Sequence, residues 1–420
     1  MTRPWHHLTG RGRALLIGGL VVTVASLALG QHDLAWFGLL LLLLPLLGLA
    51  LVLGTQLRMT CRRRVDPARC PIGTPMGATT ELDRKGGLPV GILRFEESVP
   101  PALGPAPRFA VHTLAGSWHR RISYELVGSA RGRFEVGPLL VRACDPFGTA
   151  HADHAFTTTS RVMVTPRIEP LGRGASAAGA GRSGESTPHR VGLQGADDVL
   201  IREYRDGDDL RRVHWRSTAR RDELMVRREE QAWDPSVTIL LDTRASRHGG
   251  SGPQGSFEWA VSAAASVADH MVQTGFRVMA SGADGPLVSA RDLDVAAARE
   301  ACLLAFTDVA LTSGDDLDAG VRAANRHRRE ESVVAVLGRL TPGDVTALDQ
   351  VRAGRPQGLA LVLDVDDFTA RRFRAEPEVV AAHLDALDML SAHGWRTVPV
   401  NRGMTVAGAW AMLDRVEVGR

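Results

Sequence analysis

Two charge-free apolar runs near the N-terminus constrain this chain more than any other feature. The first covers residues 14–30 and the second residues 34–54. At a rise of about 1.5 Å per residue, each can cross a hydrocarbon core of about 30 Å, although the first does so only barely. Residues 31–33 leave room only for a reversal of direction. The sequence therefore predicts a two-helix transmembrane hairpin over residues 1–57.

The charges that flank the hairpin predict its orientation. Arginine lies at both outer ends, whereas the tip carries only Asp33; the flanking residues are Arg11, Arg13, Arg58, Arg62, Arg63 and Arg64. Because positive residues stay on the cytoplasmic side, we expect a multi-pass protein of the cell membrane with both termini in the cytoplasm. A cleaved signal peptide would explain the first run only, since the second would remain as an anchor.

The four cysteines show no metal-ligand or redox spacing. Cys61, Cys70, Cys144 and Cys302 are scattered along the chain. We expect free thiols in a reducing compartment, which agrees with a cytoplasmic location for the residues after the hairpin.

Residues 58–170 change to short apolar or alternating runs that are separated by Gly and Pro. This texture favours an all-β, sandwich-like domain. Within it, residues 145–148 read Asp-Pro-Phe-Gly, which is typical of a turn because Asp bonds its own backbone, Pro fixes φ and Gly accepts positive φ. Structure explains this turn better than a role as a ligand loop. Residues 171–198, poor in bulky apolar side chains in their first part, are predicted to be a flexible linker.

Residues 233–420 alternate strand-like and helical segments. Strands are expected at residues 237–242, 276–280, 332–337, 359–364 and 395–400. Helices are expected at residues 256–274, 295–305, 342–352, 378–393 and 404–416. Strands that alternate with helices of this length imply a mostly parallel sheet that is covered on both faces. Because such sheets bind ligands at the carboxyl ends of their strands, Asp242 and Asp364 stand at candidate positions.

Between linker and sheet, residues 199–232 form a unit of unusual charge density. Residues 200–230 contain nine arginines and eight carboxylates around a small apolar set. We predict an extended start, a short helix that ends near Arg220 and is capped by Asp208 or Asp209, and a second extended run. Trp215 lies off the apolar face of that helix and is expected to cover a second surface. Mutual pairing of Arg and Asp explains the unit as a structural ion-pair network without a substrate, with a partner-docking surface as the second interpretation. The balanced charge argues against nucleic acid.

The pattern of this unit closely resembles the signature of the domain-of-unknown-function 58 family. That signature reads Arg-x-Tyr-x-x-Gly-Asp-x-x-Arg-x-(Ile/Val)-x-Trp-x-x-(Ser/Thr)-Ala-Arg. The positions that carry the resemblance here, with His214 between them, are Arg202, Tyr204, Gly207, Asp208, Arg211, His214, Trp215, Ala219 and Arg220. The two-span anchor and the Asp-Pro-Phe-Gly turn agree with it.

The resemblance implies a β-domain followed by a von Willebrand factor A-like α/β domain. It also implies association with MoxR-type AAA+ ATPases, and it establishes no enzymatic activity. Domains of this kind often bind Mg²⁺ through Asp-x-Ser-x-Ser after the first strand. Here Asp242 and Ser246 match, but Arg244 replaces the first Ser. A guanidinium opposes a cation, so we expect Asp242 to pair with Arg244 and no cofactor to be required, with Mg²⁺ as the alternative.

Three functions remain open from the sequence. The leading hypothesis is a membrane-anchored interaction or scaffold protein, not an enzyme, that partners a MoxR-type ATPase in assembly or maintenance of the envelope or of protein complexes. The alternative is a phosphoester hydrolase that uses Asp208, Asp209 and His214, with arginine side chains clamping the phosphate. A third is a purely structural membrane scaffold. The sequence contains no Gly-rich phosphate loop, nucleophile elbow or zinc spacing, which favours the first.

Overall fold

The computed structural model describes residues 4–54, 59–86, 91–112, 116–172, 199–203, 215–221, 223–229, 235–326, 332–353, 355 and 358–415. The chain divides into two compact units. The first comprises Met1–Ile168, Gly250–Ser262 and Leu303–Ala310, and the second comprises Glu169–Gly249, Ala263–Cys302 and Leu311–Arg420.

The first unit opens with the two predicted apolar helices, α1 (Gly10–Leu29) and α2 (His32–Gly54). Both are long and apolar enough to cross a membrane. Thr9 caps α1, because its hydroxyl accepts a hydrogen bond from the Gly12 amide, and Gly30 ends it with φ of 69°. The helices pack closely, since a side chain at Gly38 would clash with Thr23. The prediction of two apolar N-terminal helices is therefore confirmed.

Ten strands follow among the described residues of the first unit and form three small sheets. The strands are β1 (Met59–Asp66), β2 (Arg69–Pro71), β3 (Pro75–Arg84), β4 (Ile92–Glu97), β5 (Arg108–His112), β6 (Trp118–Val127), β7 (Gly132–Val136), β8 (Leu139–Cys144), β9 (His151–Ala155) and β10 (Ser160–Thr165). Their orders are β1-β3-β6, β2-β10-β7 and β5-β4-β8-β9. The β-rich character predicted for this region is confirmed, in three sheets.

Alternating side chains of these strands build two apolar cores. One core joins Leu82 of β3 to Phe95 of β4 and Val141 of β8, and the other surrounds Met76 and Leu126. A buried ion pair accompanies them: the Arg63 guanidinium lies 2.5 Å from the Glu97 carboxylate, with almost no exposure of either side chain. Arg63, one of the arginines that flank the hairpin in sequence, therefore points into the β-rich region.

The second unit begins with the arginine-rich segment. It contains strand β11 (Val199–Glu203), helix α3 (Trp215–Arg221) and strand β12 (Met225–Glu229). The two strands pair antiparallel, with Arg202 opposite Val226 and Glu203 opposite Met225. The Met225 amide donates to the Thr218 hydroxyl at 3.0 Å, so the helix is tied to the second strand.

A six-stranded sheet forms the body of this unit. Its strands are β13 (Ser236–Leu241), β14 (Arg277–Gly282), β15 (Gly285–Ser289), β16 (Ser332–Leu337), β17 (Gly358–Leu363) and β18 (Arg396–Val400). Their order is β15-β14-β13-β16-β17-β18, and only the β14–β15 pairing is antiparallel. Every residue of β13 and β17 is buried, as expected of strands covered on both faces. The predicted mostly parallel sheet is thus present.

Helices alternate with these strands along the chain. They are α4 (Ser256–Gln273), α5 (Val295–Asp308), α6 (Asp318–Asn325), α7 (Pro342–Arg352), α8 (Val365–Phe368), α9 (Pro377–Ala392) and α10 (Val406–Arg415). The predicted strands and long helices agree with these bounds to within three residues. Strand β15 and helices α6 and α8 are absent from the prediction. The first two are short and carry Pro or Gly within their runs, and α8 has only four residues.

Candidate functional site

The carboxyl edge of the sheet in the second unit carries the candidate site. Strand β13 connects to β14 on one side, whereas the chain later crosses over to β16 on the other side. The strand order therefore reverses at β13, and such a switch point opens a crevice between the loops that follow the two neighbouring strands. Asp242 directly follows β13 and lies in this crevice, with its amide bonded to the Val336 carbonyl at 2.9 Å.

A buried guanidinium fills the crevice. Arg244 forms a bidentate pair with Asp242, because its Nε lies 2.9 Å from Oδ1 and its Nη2 lies 2.9 Å from Oδ2. Its Nη1 donates to Asp344 Oδ1 at 2.5 Å and to the Asp315 carbonyl at 3.0 Å. The side chains of Asp242 and Arg244 are both 0% exposed. We call Asp242, Arg244, Asp344 and the Asp315 carbonyl the Arg244 cage.

Asp344 is fixed in the cage by the start of α7. Thr341 and Asp344 form a capping box, in which Asp344 Oδ2 accepts from the Thr341 amide and hydroxyl, both at 2.8 Å. Its other oxygen, Oδ1, is then free to face Arg244. Pro342 at the first helical position has the φ that the turn needs. One carboxylate therefore both starts the helix and pairs with the guanidinium.

The loop after α5 closes the remaining side of the cage. The Thr312 amide donates to the Thr243 carbonyl at 2.7 Å, and the Ala245 amide donates back to the Thr312 carbonyl at 2.8 Å. Ser246 turns to the same loop, with its hydroxyl 2.5 Å from Asp315 Oδ1. These hydrogen bonds between the two loops hold Asp315 where its carbonyl reaches Arg244.

Electrostatics keep Arg244 charged in this setting. Burial alone lowers the pKa of Arg244, but hydrogen bonds and attraction from Asp242 and then Asp344 outweigh it, so the pKa is raised. His248 Nε2 donates to the Asp242 carbonyl at 2.8 Å, and burial lowers the pKa of this histidine. The neutral His248 therefore adds a hydrogen bond without adding positive charge next to Arg244.

A second histidine supports the loop after β16. His383 Nδ1 accepts a hydrogen bond from the Leu340 amide at 3.0 Å, which requires that nitrogen to be unprotonated. Burial, followed by the charge of Arg339, lowers the pKa of His383. Arg339 itself pairs with Asp366 at 2.8 Å. These contacts stabilise the position of the loop that leads into the capping box.

The residues present do not suit a divalent ion at Asp242 and Ser246. Both oxygens of Asp242 are used by Arg244, and the Ser246 hydroxyl is turned to Asp315. The guanidinium places a positive charge where a hard cation would need open oxygen ligands. Among the described residues, no group of three or more His, Cys, Asp or Glu side chains is arranged to hold a metal.

The structure describes four of the signature residues, all within the arginine-rich segment. Arg202 belongs to β11, and Trp215, Ala219 and Arg220 belong to α3. The Trp215 side chain is 70% exposed, so it does not cover a second surface as expected. The predicted positions Tyr204, Gly207, Asp208, Asp209, Arg211 and His214 lie outside the described residues.

Sequence reasoning found Asp242, Arg244 and their pairing but missed the partners from later loops. Asp344, Asp315 and His383 come from segments more than 70 positions away along the chain. Only Asp344 had a readable signal, because Thr341, Pro342 and Asp344 form the pattern of a capped helix start. Asp364 follows β17 as predicted but is exposed and outside the cage.

Comparison with known proteins places the chain near a family without an assigned activity. The family described as "Protein of unknown function DUF58" matches residues 200–369, which include the signature and the whole Arg244 cage. A relative from Bacillus subtilis (strain 168), "Uncharacterized protein YeaD", is 26% identical over 285 residues, which cover 66% of this chain and 69% of the relative.

Similarity to solved structures is weak. Alkylpurine DNA glycosylase AlkC from Pseudomonas fluorescens, bound to DNA containing an abasic site analog, is 15% identical over 29% of this chain and 38% of its own, with a TM-score of 0.16. Cwp6 from Clostridium difficile is 9% identical over 81% of this chain and 49% of its own, with a TM-score of 0.17. The chain thus spans less than half of either structure, and such scores carry no argument about fold or function.

Proposed function

We propose that this protein is a membrane-anchored interaction protein and that the loops around the Arg244 cage dock a protein partner. The hairpin of α1 and α2 is the anchor, with both termini in the cytoplasm and the second unit presented to cytoplasmic proteins. A von Willebrand factor A-like role of this unit, and a MoxR-type AAA+ ATPase as the partner, follow from the family resemblance in the signature.

One observation carries the proposal: the crevice where a ligand would bind is filled by the protein's own side chain. Arg244 is 0% exposed and uses both oxygens of Asp242. A small substrate would have to displace a guanidinium that is held by two carboxylates, and leaving those charges unpaired is costly. The cage therefore joins the loops after β13 and β16 and the start of α7, and it fixes their positions relative to one another.

The exposed groups around the cage supply the docking surface. Ser246, Asp315 and Asp364 are exposed at the carboxyl edge of the sheet. Their backbone is fixed by the cage or by the ends of strands, because the Asp364 amide donates to the Val400 carbonyl at 2.9 Å. Preorganised loops lose little conformational entropy on binding, which favours recognition of a protein surface.

Co-purification tests the proposal directly. Full-length protein in detergent is mixed with the MoxR-type ATPase of the same organism, once with ATP and once with ADP, and the bound ATPase is quantified. We expect retention in at least one nucleotide state and its loss in Asp364→Arg. Asp292→Arg is the matched control, because Asp292 is also an exposed loop aspartate, 3.8 Å from Arg277 at the amino end of β14. Absence of binding in both nucleotide states would refute the partner.

A fusion assay tests the orientation of the anchor. A periplasmic reporter enzyme inserted at residues 30–31 should be active, whereas the same reporter after residue 415 should be inactive. The reverse pattern would contradict the positive-inside argument.

A further inference from the structure

We infer that the Asp-Pro-Phe-Gly turn at residues 145–148 is a membrane-contact site, and that Phe147 and Trp5 enter the headgroup region of the bilayer. This inference rests on the proposed membrane anchor. It assigns a lipid partner to a turn that the proposed docking function does not use.

The turn holds the beginning of α1. The Thr9 amide donates to the Thr149 carbonyl at 2.9 Å, and the Thr9 hydroxyl donates to the Gly148 carbonyl at 2.8 Å. Leu8 forms a β-bridge with Ala150. The residue that caps the first apolar helix is therefore bound to the turn itself. The beginning of this helix and the turn thus lie at the same depth in the membrane.

Both helices pass the turn at a glycine. A side chain at Gly12 of α1 would clash with the Thr149 carbonyl, and one at Gly48 of α2 would clash with the side chains of Thr149 and Asp145. Glycine is required at these two positions because the turn lies directly against the helix backbones. The turn is therefore level with Gly12 and Gly48, well inside the apolar run of α2.

Helix length then sets the depth of the turn. From Gly12 to the end of α1, and from the start of α2 to Gly48, each helix rises about 25 Å at about 1.5 Å per residue. A hydrocarbon core is about 30 Å thick, so these segments alone are slightly too short to cross it. The turn at Gly12 and Gly48 is consequently drawn to the boundary between hydrocarbon and headgroups.

The chemistry of the turn suits that boundary. The Asp145 carboxylate is 3% exposed and accepts from the Phe147 amide at 3.0 Å, the Thr149 hydroxyl at 3.0 Å and the Ala150 amide at 2.6 Å. Three donors of the protein thus solvate this carboxylate in place of water, which lowers the cost of a poorly hydrated position. Phe147, in contrast, projects outward with 47% exposure.

A second aromatic residue is tied to the beginning of α1. Trp5 is 49% exposed, and the Arg13 guanidinium lies 5.7 Å from its ring centroid and donates to its carbonyl at 3.1 Å. Tryptophan is enriched at the level of the headgroups, and arginine there can bind lipid phosphates. Trp5 and Arg13 belong to the segment bound to the turn through Thr9, as an interfacial site requires.

Photo-crosslinking to lipid tests the site. The photoreactive residue p-benzoylphenylalanine replaces Phe147, Trp5, Leu40 or Leu140 in the full-length protein, reconstituted in nanodiscs of phosphatidylethanolamine and phosphatidylglycerol. Intact-protein mass spectrometry gives the fraction that carries a lipid. Leu40 on α2 reports the membrane span, and Leu140 on β8 is the matched control, because it is 44% exposed and belongs to the same unit. Circular dichroism verifies the fold of each variant.

We expect lipid adducts at Phe147 and Trp5 that approach the Leu40 level and exceed the Leu140 level several-fold. Adducts at Leu40 with only the Leu140 level at Phe147 would overturn the inference and leave the anchor intact. Crosslinks from Phe147 to a second copy of the chain instead of lipid would also overturn it. Failure at Leu40 itself would refute the membrane anchor and the inference together.

Discussion

Replacing Arg244 with methionine is the sharpest test of the cage. Methionine fills part of the same space but carries no charge, so Asp242 and Asp344 would be left buried and facing each other without a cation. The guanidinium makes four hydrogen bonds to these carboxylates and to the Asp315 carbonyl. The change therefore removes the common partner of three separate loops.

The expected loss of stability is large because solvent does not screen the pair. The side chains of Arg244, Asp242 and Asp344 are 0%, 0% and 8% exposed. Removing one partner of a buried pair costs about 3–5 kcal/mol. In a domain of this size, such a loss lowers the melting temperature by on the order of 10 °C.

Thermal unfolding of the full-length protein in detergent measures the loss, and hydrogen exchange locates it. We expect faster exchange in β13, in β16 and at the start of α7, with β1–β10 unchanged. Two controls separate charge from packing. Arg244→Lys keeps the charge but loses the bidentate geometry, so an intermediate loss is expected. The triple variant Arg244→Met/Asp242→Asn/Asp344→Asn removes the unpaired charges and should recover part of the stability.

If Arg244→Met has the melting temperature and the hydrogen-exchange rates of the wild type, the cage does not hold these loops in place. A triple variant no more stable than Arg244→Met would show that packing, not unpaired charge, causes the loss. Destabilisation of β1–β10 to the same extent would contradict a local role of the cage in the second unit.

Three further predictions concern other buried groups. Arg131→Ala should cost about 3 kcal/mol in thermal unfolding, because this side chain is 4% exposed and bonds Glu258 and the Phe306 carbonyl, whereas Arg133→Ala, which breaks an exposed pair with Asp308, should leave the melting temperature nearly unchanged. Burial and then Glu97 raise the pKa of Tyr124 to about 12, so one of the two tyrosines should stay protonated well above pH 10 in an absorbance titration. Because the pKa of His383 is lowered in the folded protein, neutral His383 contributes stability that is fully present above about pH 6.5. This contribution is lost as the pH falls below that value. The melting temperature of His383→Gln should therefore depend less on pH below about pH 6.5 than that of the wild type.

Local pattern predicted most of the second unit, because its strands are buried on both faces and its helices are long. Residues 332–337 and 342–352 read as strand and helix, and the structure gives Ser332–Leu337 and Pro342–Arg352. The β-rich region was harder, since the apolar alternation of β1 and β3 is interrupted where the polar residues Arg63 and Thr80 take inward positions. Arg63 illustrates the limit: its neighbours suggest a solvated basic cluster, yet Glu97, 34 positions away, pairs with it in the interior.

The candidate site was predictable only where its parts are adjacent in sequence. Asp242 and Arg244 are two positions apart, so their pairing follows from local chemistry. Asp344 and Asp315 reach the same guanidinium only because β13 and β16 are neighbours in the sheet and the loop after α5 bonds to Thr243. Strand order is a property of the whole fold, and no local pattern encodes it. Trp215 shows the converse, because its size suggested a packing role and its side chain is 70% exposed.

A guanidinium of the chain itself and a bound cation can each neutralise the carboxylates that meet at the switch point. A bound ion dissociates, however, and its occupancy depends on its concentration. Arg244 is covalently part of the loop after β13, so its positive charge is present wherever that loop is folded and does not depend on the concentration of an ion. Its raised pKa excludes deprotonation as a switch. Any regulation of the proposed docking at this edge would therefore act on the exposed groups, Ser246, Asp315 and Asp364, or on the partner, and not on the Arg244 cage.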